Sequence, residues 1–204
     1  QGVLANDSDV DGGTLSVSAV NGVTGSVGQA ITGSNGGTFT LNADGSYSFN
    51  PGTAFDRLAA GQTDTTQVSY TVSDGQGGTA TSTLTVTVTG TNDAPVAQAG
   101  TATTEENTLL TGQVPAASDV DGTIAGYDLA TDVGTGNGSL TFNADGSYSF
   151  TPGTDFDGLA AGENRDVTFS YTATDNDGGV SEPKTVTITV TGTNDAPVAV
   201  ADTQ

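Results

Sequence analysis

The feature that most constrains the fold is an internal repeat with a period of about 100 residues. The segment Leu41–Thr53 (LNADGSYSFNPGT) returns as Phe142–Thr154 (FNADGSYSFTPGT), and Gly90–Val96 (GTNDAPV) returns as Gly192–Val198. A repeat of this length is too long for one unit of a solenoid and fits a whole β-sandwich domain. The 204-residue chain is therefore predicted to hold two similar domains in tandem.

Alternation of polar and apolar residues predicts that both domains consist of antiparallel strands. Phe39 and Leu41 alternate with polar residues, Asp44-Gly45 follows, and the alternation resumes at Tyr47. An Asp-Gly pair between alternating segments is a strong β-hairpin signal. Further core faces are predicted at Val68, Tyr70, Val72, Leu84, Val86 and Val88, and in the second copy at Val167, Phe169, Tyr171, Ala173, Val186, Ile188 and Val190. The predicted fold is all-β, with two tandem antiparallel Greek-key β-sandwiches of immunoglobulin-like type in a line.

The repeat also predicts the domain boundaries, which are residues 1–93, residues 94–195, and 196–204 as the start of a third repeat or a tail. Ahead of its SDVDG motif the second copy has Ala94–Ala117, with a strand candidate at Thr108–Val114, whereas the first has only Gln1–Asp7. We therefore expect the first domain to be incomplete at its start. We also expect the chain to be a piece of a longer array, cut out of frame with its domains.

The charge balance excludes several classes of function. The formal net charge is −21, from 24 acidic and 3 basic residues. Such a surface repels nucleic acid and anionic lipid, and no apolar run approaches the roughly 18 residues of a membrane span. Because Cys, His and Met are absent from the sequence, soft metals lack ligands, and carboxylate, amide and carbonyl oxygens remain for a hard cation such as Ca²⁺.

Acidic residues occur in pairs at the predicted strand ends. Asp-x-Asp followed by Gly is found at Asp9/Asp11, Asp119/Asp121 and Asp175/Asp177. Paired carboxylates repel each other unless a cation offsets them, which favours metal binding for these pairs and for Asp74. With Asp7, the first pair fits the start of an EF-hand loop, but the twelfth position is Ser18 rather than Glu, so that motif is rejected.

The other acidic residues near turns are interpreted differently. Asp44 and Asp145 lie inside the predicted hairpin turns and are interpreted as turn formers, since Asp favours Asx-turns. For Asp56 and Asp157, a structural role and a metal-binding role both stay open.

Five motifs together resemble tandem cadherin-like repeats of the VCBS type found in large RTX adhesins of Gram-negative bacteria. The motifs are VLANDSDVDG, NADGSYSF-x-PGT, FD-x-LAAG, YT-x-x-D and GTNDAPV, and they span nearly the whole chain. The resemblance implies a cadherin-like β-sandwich and Ca²⁺ at each junction between repeats. Gly90 stands where cadherins often carry the first linker Asp, and their Asp-Arg-Glu element is reduced to Phe55-Asp56-Arg57, so fewer ions per junction are expected than in an animal cadherin.

The resemblance also implies which residues bind Ca²⁺. At the middle junction the implied ligands are Asn92, Asp93, Asp119, Asp121, Asp175 and, more weakly, Asp177. Asp7, Asp9, Asp11 and Asp74 would belong to a preceding junction. Glu105 or Glu106 would serve a following junction, together with Asn194 and Asp195. Because the first copy lacks the early Glu, we expect one or two ions at the middle junction.

The leading functional hypothesis is a calcium-stiffened spacer in an extracellular adhesin at the bacterial cell surface, supporting adhesion or biofilm formation. The alternative is a glycan- or ligand-binding module, although sugar sites usually use exposed aromatic residues and the chain has no Trp. Enzyme activity is not expected, because nucleophilic triads need His or Cys and the recurring Asp pairs resemble structural ligands.

The expected partners are neighbouring repeats of the same polypeptide, without direct contact to membrane or nucleic acid. Ala196–Asp202 is predicted to be an unpartnered opening strand. It could add to the vacant edge of the first domain in another molecule, which predicts strand exchange through the C-terminal segment.

Overall fold

The computed structural model describes residues 2–197 and 199–201, and it forms two compact units. Unit 1 is Gln1–Asn92 and unit 2 is Asp93–Gln204. Each unit has the all-β, cadherin-like sandwich architecture that the sequence predicts.

Unit 1 consists of two three-stranded antiparallel sheets. One sheet has the order β1-β5-β6 and the other has the order β2-β3-β4. The strands are β1 (Ser16–Val20), β2 (Ala30–Thr32), β3 (Thr38–Leu41), β4 (Tyr47–Asn50), β5 (Thr63–Ser73) and β6 (Thr79–Thr89). The long β5–β6 pair forms the most extensive ladder of the unit, from Thr63↔Thr89 to Ser73↔Thr79.

Unit 2 has a four-stranded sheet of order β7-β13-β12-β9 and a three-stranded sheet of order β10-β11-β8. Its strands are β7 (Gly100–Glu105), β8 (Leu110–Gln113), β9 (Ile124–Thr131), β10 (Ser139–Phe142), β11 (Ser147–Thr151), β12 (Asn164–Asp175) and β13 (Lys184–Thr191). Strand β7 runs parallel to β13, whereas the other named pairs are antiparallel.

The predicted hairpin turns are present in both units, and their Asp residues are turn formers. The Asp44 carboxylate Oδ1 accepts hydrogen bonds from the Ser46 backbone N at 2.9 Å and from Ser46 Oγ at 2.6 Å. Asp145 makes the same two contacts with Ser147. Gly45 takes a φ of +82°, which a glycine tolerates without strain. The hydrogen bonds to Ser lower the pKa of both Asp carboxyl groups.

The two cores differ in how completely they are covered. In unit 2 the inward side chains of β13 are buried, and Ala102 and Leu110 from β7 and β8 pack against the core. In unit 1 the corresponding Leu84, Val86 and Val88 of β6 are only half-buried. Among the described residues of unit 1, no strands correspond to β7 and β8. The alternation therefore predicts which side of β6 faces inward, but full burial also requires the strands that cover it.

The glycine that opens each GTNDAPV motif is fixed by close packing within its own unit. In unit 1, Gly90 N donates to Gln62 O at 2.8 Å, and Gly90 O accepts from Gly61 N at 3.0 Å. A Cβ on Gly90 would lie 2.1 Å from Leu58 O. In unit 2, a Cβ on Gly192 would lie 2.4 Å from Ala160 O. These distances leave no room for a side chain, so the chain leaves both sandwiches through a glycine.

We expect Gly192→Ala to destabilise unit 2 by about 1–3 kcal/mol, because the new methyl group meets backbone oxygens that cannot rotate away. The measurement is thermal unfolding followed by calorimetry. Gly158→Ala is the matched control, since a Cβ there meets no atom within 4 Å. Equal melting temperatures for the two variants would contradict the packing argument.

The hairpin carboxylates predict a dependence of stability on pH. The pKa of each carboxyl group in the folded state is below the ordinary value of 3.8. The ionised groups therefore contribute fully to the free energy of unfolding above pH 3.8, and this contribution is lost as the pH falls through the folded-state pKa. Asp44→Asn with Asp145→Asn keeps an acceptor oxygen but removes the titration. We expect the double variant to have a flatter stability profile below about pH 4 than the parent chain or the exposed-site variant Asp128→Asn. If stability falls with pH in the same way in the double variant and in the parent chain, the two hairpin carboxylates do not cause the pH dependence.

Candidate metal centre

The start of unit 2 brings together three of the predicted carboxylates. Val96 and Ser118 form an antiparallel bridge, with Val96 N donating to Ser118 O at 2.7 Å and Ser118 N donating to Val96 O at 3.1 Å. This bridge aligns the first residues of the unit with the Asp-x-Asp loop. As a result, Asp93 N donates to Asp121 Oδ2 at 3.2 Å.

Each Asp of the Asp119/Asp121 pair has one oxygen in a backbone hydrogen bond and one shielded oxygen without a donor. Asp119 Oδ1 accepts from the backbone N of Asp121 and of Gly122, both at 3.2 Å. Asp119 Oδ2 and Asp121 Oδ1 are shielded from solvent and have no hydrogen-bond partner. Shielded, unsatisfied carboxylate oxygens are costly to maintain, and a bound cation is a group that would satisfy them.

The electrostatics of this cluster agree with that interpretation. Desolvation is the largest cause that raises the pKa of Asp121, and the nearby carboxylates of Asp119 and Asp93 raise it further. The hydrogen bond from Asp93 N opposes these effects. The negative charges of Asp119 and Asp93 therefore disfavour the ionised form of Asp121.

The loop between β12 and β13 supplies a second group of oxygens. Asp175, 2% exposed, accepts hydrogen bonds at Oδ1 from Asp177 N and Gly179 N, both at 2.8 Å. Asn176 Oδ1 accepts from Thr123 N at 2.7 Å, and Asn176 Nδ2 donates to Asp177 Oδ2 at 2.9 Å. Through Asn176 this loop is tied to the chain segment that follows the Asp119/Asp121 pair.

Asn176 is a residue that the sequence analysis missed. A Cβ on Gly122 would lie 2.8 Å from Asn176 Oδ1 and 3.1 Å from Asp119 Oδ2, so both side chains border Gly122. The available signal was its position between the paired Asp175 and Asp177. The first copy has Gly75 there, which hid the signal from the repeat comparison.

These carboxylate and amide oxygens are suitable ligands for a hard cation, but they do not form a complete coordination sphere. Within residues 2–197 and 199–201, no group of three or more acidic side chains has the arrangement of a metal site. The structure brings Asp93, Asp119 and Asp121 together, and it uses Asp175 and Asp177 to shape the adjoining loop. Asn92 ends unit 1 in a segment without regular secondary structure, and its role as a ligand stays a prediction.

Unit 1 carries a similar acidic cleft of about 390 Å³, whose lining includes Asp7, Asp9 and Asp74. Asp7 Oδ2 is shielded and has no hydrogen-bond partner. Asp74 Oδ1 accepts from Gln76 N at 2.7 Å and from Gly78 N at 2.9 Å, and Asp9 Oδ1 accepts from Asp11 N at 2.8 Å. Asp11 is exposed. The cleft therefore has one unsatisfied oxygen and two carboxylates held by backbone donors.

Glu106 lies near the C-terminal motif of unit 2 and is fully buried. Its Oε1 accepts hydrogen bonds from Thr193 N at 2.6 Å and from Thr193 Oγ1 at 2.8 Å, while its Oε2 is shielded without a partner. Glu105 is exposed at the end of β7. Of the two glutamates that the sequence left open, Glu106 is the one that contacts the C-terminal motif, through Thr193.

The described part of the predicted C-terminal strand is not a strand. Ala196, Pro197 and residues 199–201 have no regular secondary structure. Pro197 lacks a backbone N–H to donate, which disfavours ladder pairing at that point. Val198 and Asp202, which the prediction also covers, lie outside the described residues.

Comparison with known proteins identifies the class that this fold represents. Residues 1–90 and 92–192 each match the model of the bacterial cadherin-like domain. The chain belongs to that family, and it carries two copies of the domain. Cadherin-like domains are typically extracellular adhesion or structural modules rather than enzymes.

Solved cadherin structures resemble the chain at low sequence identity. Mouse cadherin-23 EC22-24 is 14% identical with a TM-score of 0.49, and the match covers 92% of this chain and 56% of that chain. Drosophila N-cadherin EC1-4 is 15% identical with a TM-score of 0.46, covering 94% and 45% respectively. The chain thus spans about half the length of these structures. No curated protein sequence matches it.

Among the described residues, no helix is long and apolar enough to cross a membrane.

We expect Glu106→Ala to destabilise unit 2 by about 1–3 kcal/mol, because it removes two hydrogen bonds to Thr193 and leaves a void in a buried position. Glu105→Ala is the matched control and should stay within about 0.5 kcal/mol of the parent. Urea unfolding at neutral pH measures both variants. A larger loss of unfolding free energy for Glu105→Ala than for Glu106→Ala would contradict the structural role assigned to Glu106.

Proposed function

We propose that the chain is a pair of calcium-stiffened spacer repeats in a large bacterial cell-surface adhesin, where they support adhesion or biofilm formation. Membership in the bacterial cadherin-like family supports an extracellular structural role. The observation that carries the calcium proposal is the pair of shielded oxygens without donors, Asp119 Oδ2 and Asp121 Oδ1. The resemblance to VCBS repeats of RTX adhesins supports the finer assignment and stays a prediction.

The side chains at the start of unit 2 would act as oxygen ligands. Ca²⁺ takes about six to eight oxygen ligands at roughly 2.3–2.6 Å, including carboxylates, carbonyls and water, and when bound it would supply positive charge among these carboxylates. Asp93, Asp119 and Asp121 are the first candidates, because the carboxylates of Asp93 and Asp119 raise the pKa of Asp121 and a cation would offset this repulsion. Asn92 and Asp175 are further candidates from the sequence, and Asn176 is one from the structure.

The expected consequence is a stiffer connecting segment. Gly90–Pro95 has no regular secondary structure, and Asp93, the first residue of unit 2, donates its backbone N–H to Asp121 Oδ2. A cation bound by Asp93, Asp119 and Asp121 would offset the repulsion between these carboxylates and hold the Asp93 backbone against the loop. A spacer needs this property, because a flexible connection would not keep a distal binding domain away from the cell.

Calcium should raise the melting temperature of the chain, because a ligand that binds only the folded state stabilises it by about 2.7 kcal/mol at a hundredfold excess over its Kd. Calorimetry in millimolar Ca²⁺ and in EDTA tests this. We expect the shift to fall strongly in Asp119→Asn with Asp121→Asn, and to persist in the exposed-site control Asp128→Asn. Identical melting curves with Ca²⁺ and EDTA would exclude the mechanism.

Small-angle X-ray scattering tests the stiffening separately from binding. We expect the fitted ensemble of maximum dimensions to be narrower in Ca²⁺ than in EDTA. The variant that combines Asp119→Asn with Asp121→Asn should show no such difference. If Ca²⁺ raises the melting temperature while leaving the scattering profile unchanged, calcium binds but the spacer mechanism is wrong.

The alternative glycan-binding function gains no support from the aromatic side chains. Tyr70, Tyr148 and Tyr171 are buried in the cores, and Tyr47 is the aromatic residue among the exposed large apolar side chains of the described residues. A single exposed ring does not form the stacking surface that sugar sites usually use.

A further inference from the structure

The sequence contains three Asn-Gly pairs, which are Asn21-Gly22, Asn35-Gly36 and Asn137-Gly138. In such a pair the backbone N of the glycine can attack the side-chain amide of the asparagine, because the two groups belong to adjacent residues and no side chain on the glycine hinders the approach. The product is a five-membered succinimide ring, and ammonia leaves. A group that takes the proton from the glycine N–H, and a cation at the amide oxygen, would each accelerate this reaction.

The amide oxygen of Asn137 lies against a fixed cation. Asn137 Oδ1 accepts a hydrogen bond from Arg165 Nη2 at 2.6 Å, and the same nitrogen donates to Gly136 O at 2.7 Å. The Arg165 guanidinium is held in place from two further sides, since Nη1 donates to Asp155 O at 3.1 Å and the carbon Cζ lies 4.6 Å from the centre of the Phe156 ring. Attack on the amide places negative charge on its oxygen, where this guanidinium would stabilise it.

The attacking nitrogen lies against a carboxylate. Gly138 N donates a hydrogen bond to Asp155 Oδ2 at 2.9 Å, so a base is already in contact with the proton that must leave. Asn137 Nδ2 donates to Val133 O at 2.9 Å, which fixes the orientation of the amide together with the contact at its oxygen. A Cβ on Gly138 would lie 2.5 Å from Thr151 O, so the fold itself requires glycine at this position.

The other two Asn-Gly pairs have neutral surroundings at these atoms. Asn21 Oδ1 accepts hydrogen bonds from Ser69 N at 3.0 Å and from Ser69 Oγ at 3.3 Å. Gly36 N donates to the backbone oxygen of Gly33 at 3.1 Å. Within the part of the chain that the structure describes, Asn137-Gly138 is therefore the pair that combines a cation at the amide oxygen with a carboxylate at the glycine N–H.

We propose that Asn137-Gly138 is a self-modification site whose substrate is the Asn137 carboxamide. Gly138 N attacks Asn137 Cγ while its proton passes to Asp155 Oδ2. The bond between Cγ and Nδ2 then breaks, and the nitrogen leaves as ammonia with the proton that Asp155 returns. Water hydrolyses the succinimide at either of its carbonyl groups, which leaves aspartate or isoaspartate at position 137.

The aspartate product has a counterpart in unit 1. There Arg57 Nη1 donates to Ala54 O, and the shared PGT-x-FD motif aligns Ala54 with Asp155. The two arginines therefore bind the same backbone oxygen from different positions in the sequence. Arg57 also forms an ion pair with Asp64. Deamidation to aspartate would give Arg165 the same kind of carboxylate partner, in a contact that is stronger than its present one with an amide.

The isoaspartate product would have a different effect, because it lengthens the main chain by one methylene directly before β10. We expect it to lower the melting temperature of unit 2 relative to the aspartate product. The reaction does not depend on calcium or on the spacer role, since none of the candidate calcium ligands takes part in it.

The test incubates the full 204-residue chain at neutral pH in EDTA, either folded or unfolded in urea, and follows each Asn-Gly pair by peptide mass spectrometry. We expect Asn137 to be modified at least about tenfold faster in the folded chain than in urea. Asn21 and Asn35 are internal controls, and they should react no faster in the folded chain than in urea. The same result is expected when Ca²⁺ replaces EDTA.

Two variants separate the roles of the cation and the base. Arg165→Gln removes the cation, and Asp155→Asn removes the base while keeping an acceptor oxygen. Each should slow modification of Asn137 in the folded chain at least about tenfold and leave the rate in urea unchanged. Asp128→Asn is the matched control, because it removes an exposed carboxylate on β9. Thermal unfolding shows whether each variant is folded, and Asp155→Asn, which alters an exposed side chain, decides the test if Arg165→Gln is unfolded.

Three results would overturn the proposal. The first is a rate at Asn137 that is no higher in the folded chain than in urea. The second is an equal rate in folded Asp155→Asn and in the parent chain. The third is a product that contains aspartate without isoaspartate, because water would then attack the amide directly and Gly138 N would not be the nucleophile.

Discussion

The acidic loops depend on one recurring interaction, in which the first carboxylate of an Asp-x-Asp pair accepts a hydrogen bond from the backbone N of the second. Asp9 does this toward Asp11, Asp119 toward Asp121, and Asp175 toward Asp177. The contact shapes the loop through the protein's own atoms, and at Asp119 it uses only one of the two carboxylate oxygens. Turn formation and metal binding are therefore compatible roles for the same residue, because each uses a different oxygen of the carboxylate.

The sandwich itself could be predicted from local patterns. An alternation of period two fixes which side of a strand faces inward, and Asp44-Gly45 fixes a hairpin, so both follow from the residues involved. The burial of Val86 could not be predicted, because it depends on strands elsewhere in the chain. Glu105 and Glu106 could not be separated either, since β7 ends there and the alternation no longer indicates which side chain turns inward.

Only part of the candidate site could be predicted from the sequence. The Asp pairs were visible as spacing, but the approach of Asp93 to Asp121 rests on the bridge between Val96 and Ser118, which joins segments more than twenty residues apart. Asn176 resembled an ordinary turn residue. Such convergence is decided by tertiary pairing, and a single sequence contains little information about it.

The parallel pairing of β7 with β13 has a mechanical consequence for a chain that is pulled from both ends. Because the strands run in the same direction, tension applied through Gly100 and Thr191 pulls them past each other along their length. All the rungs between them then bear load together and must break nearly at once, whereas an antiparallel terminal pair would peel apart one rung at a time. A domain with this geometry resists stretching through shear along the whole length of the β7–β13 pair.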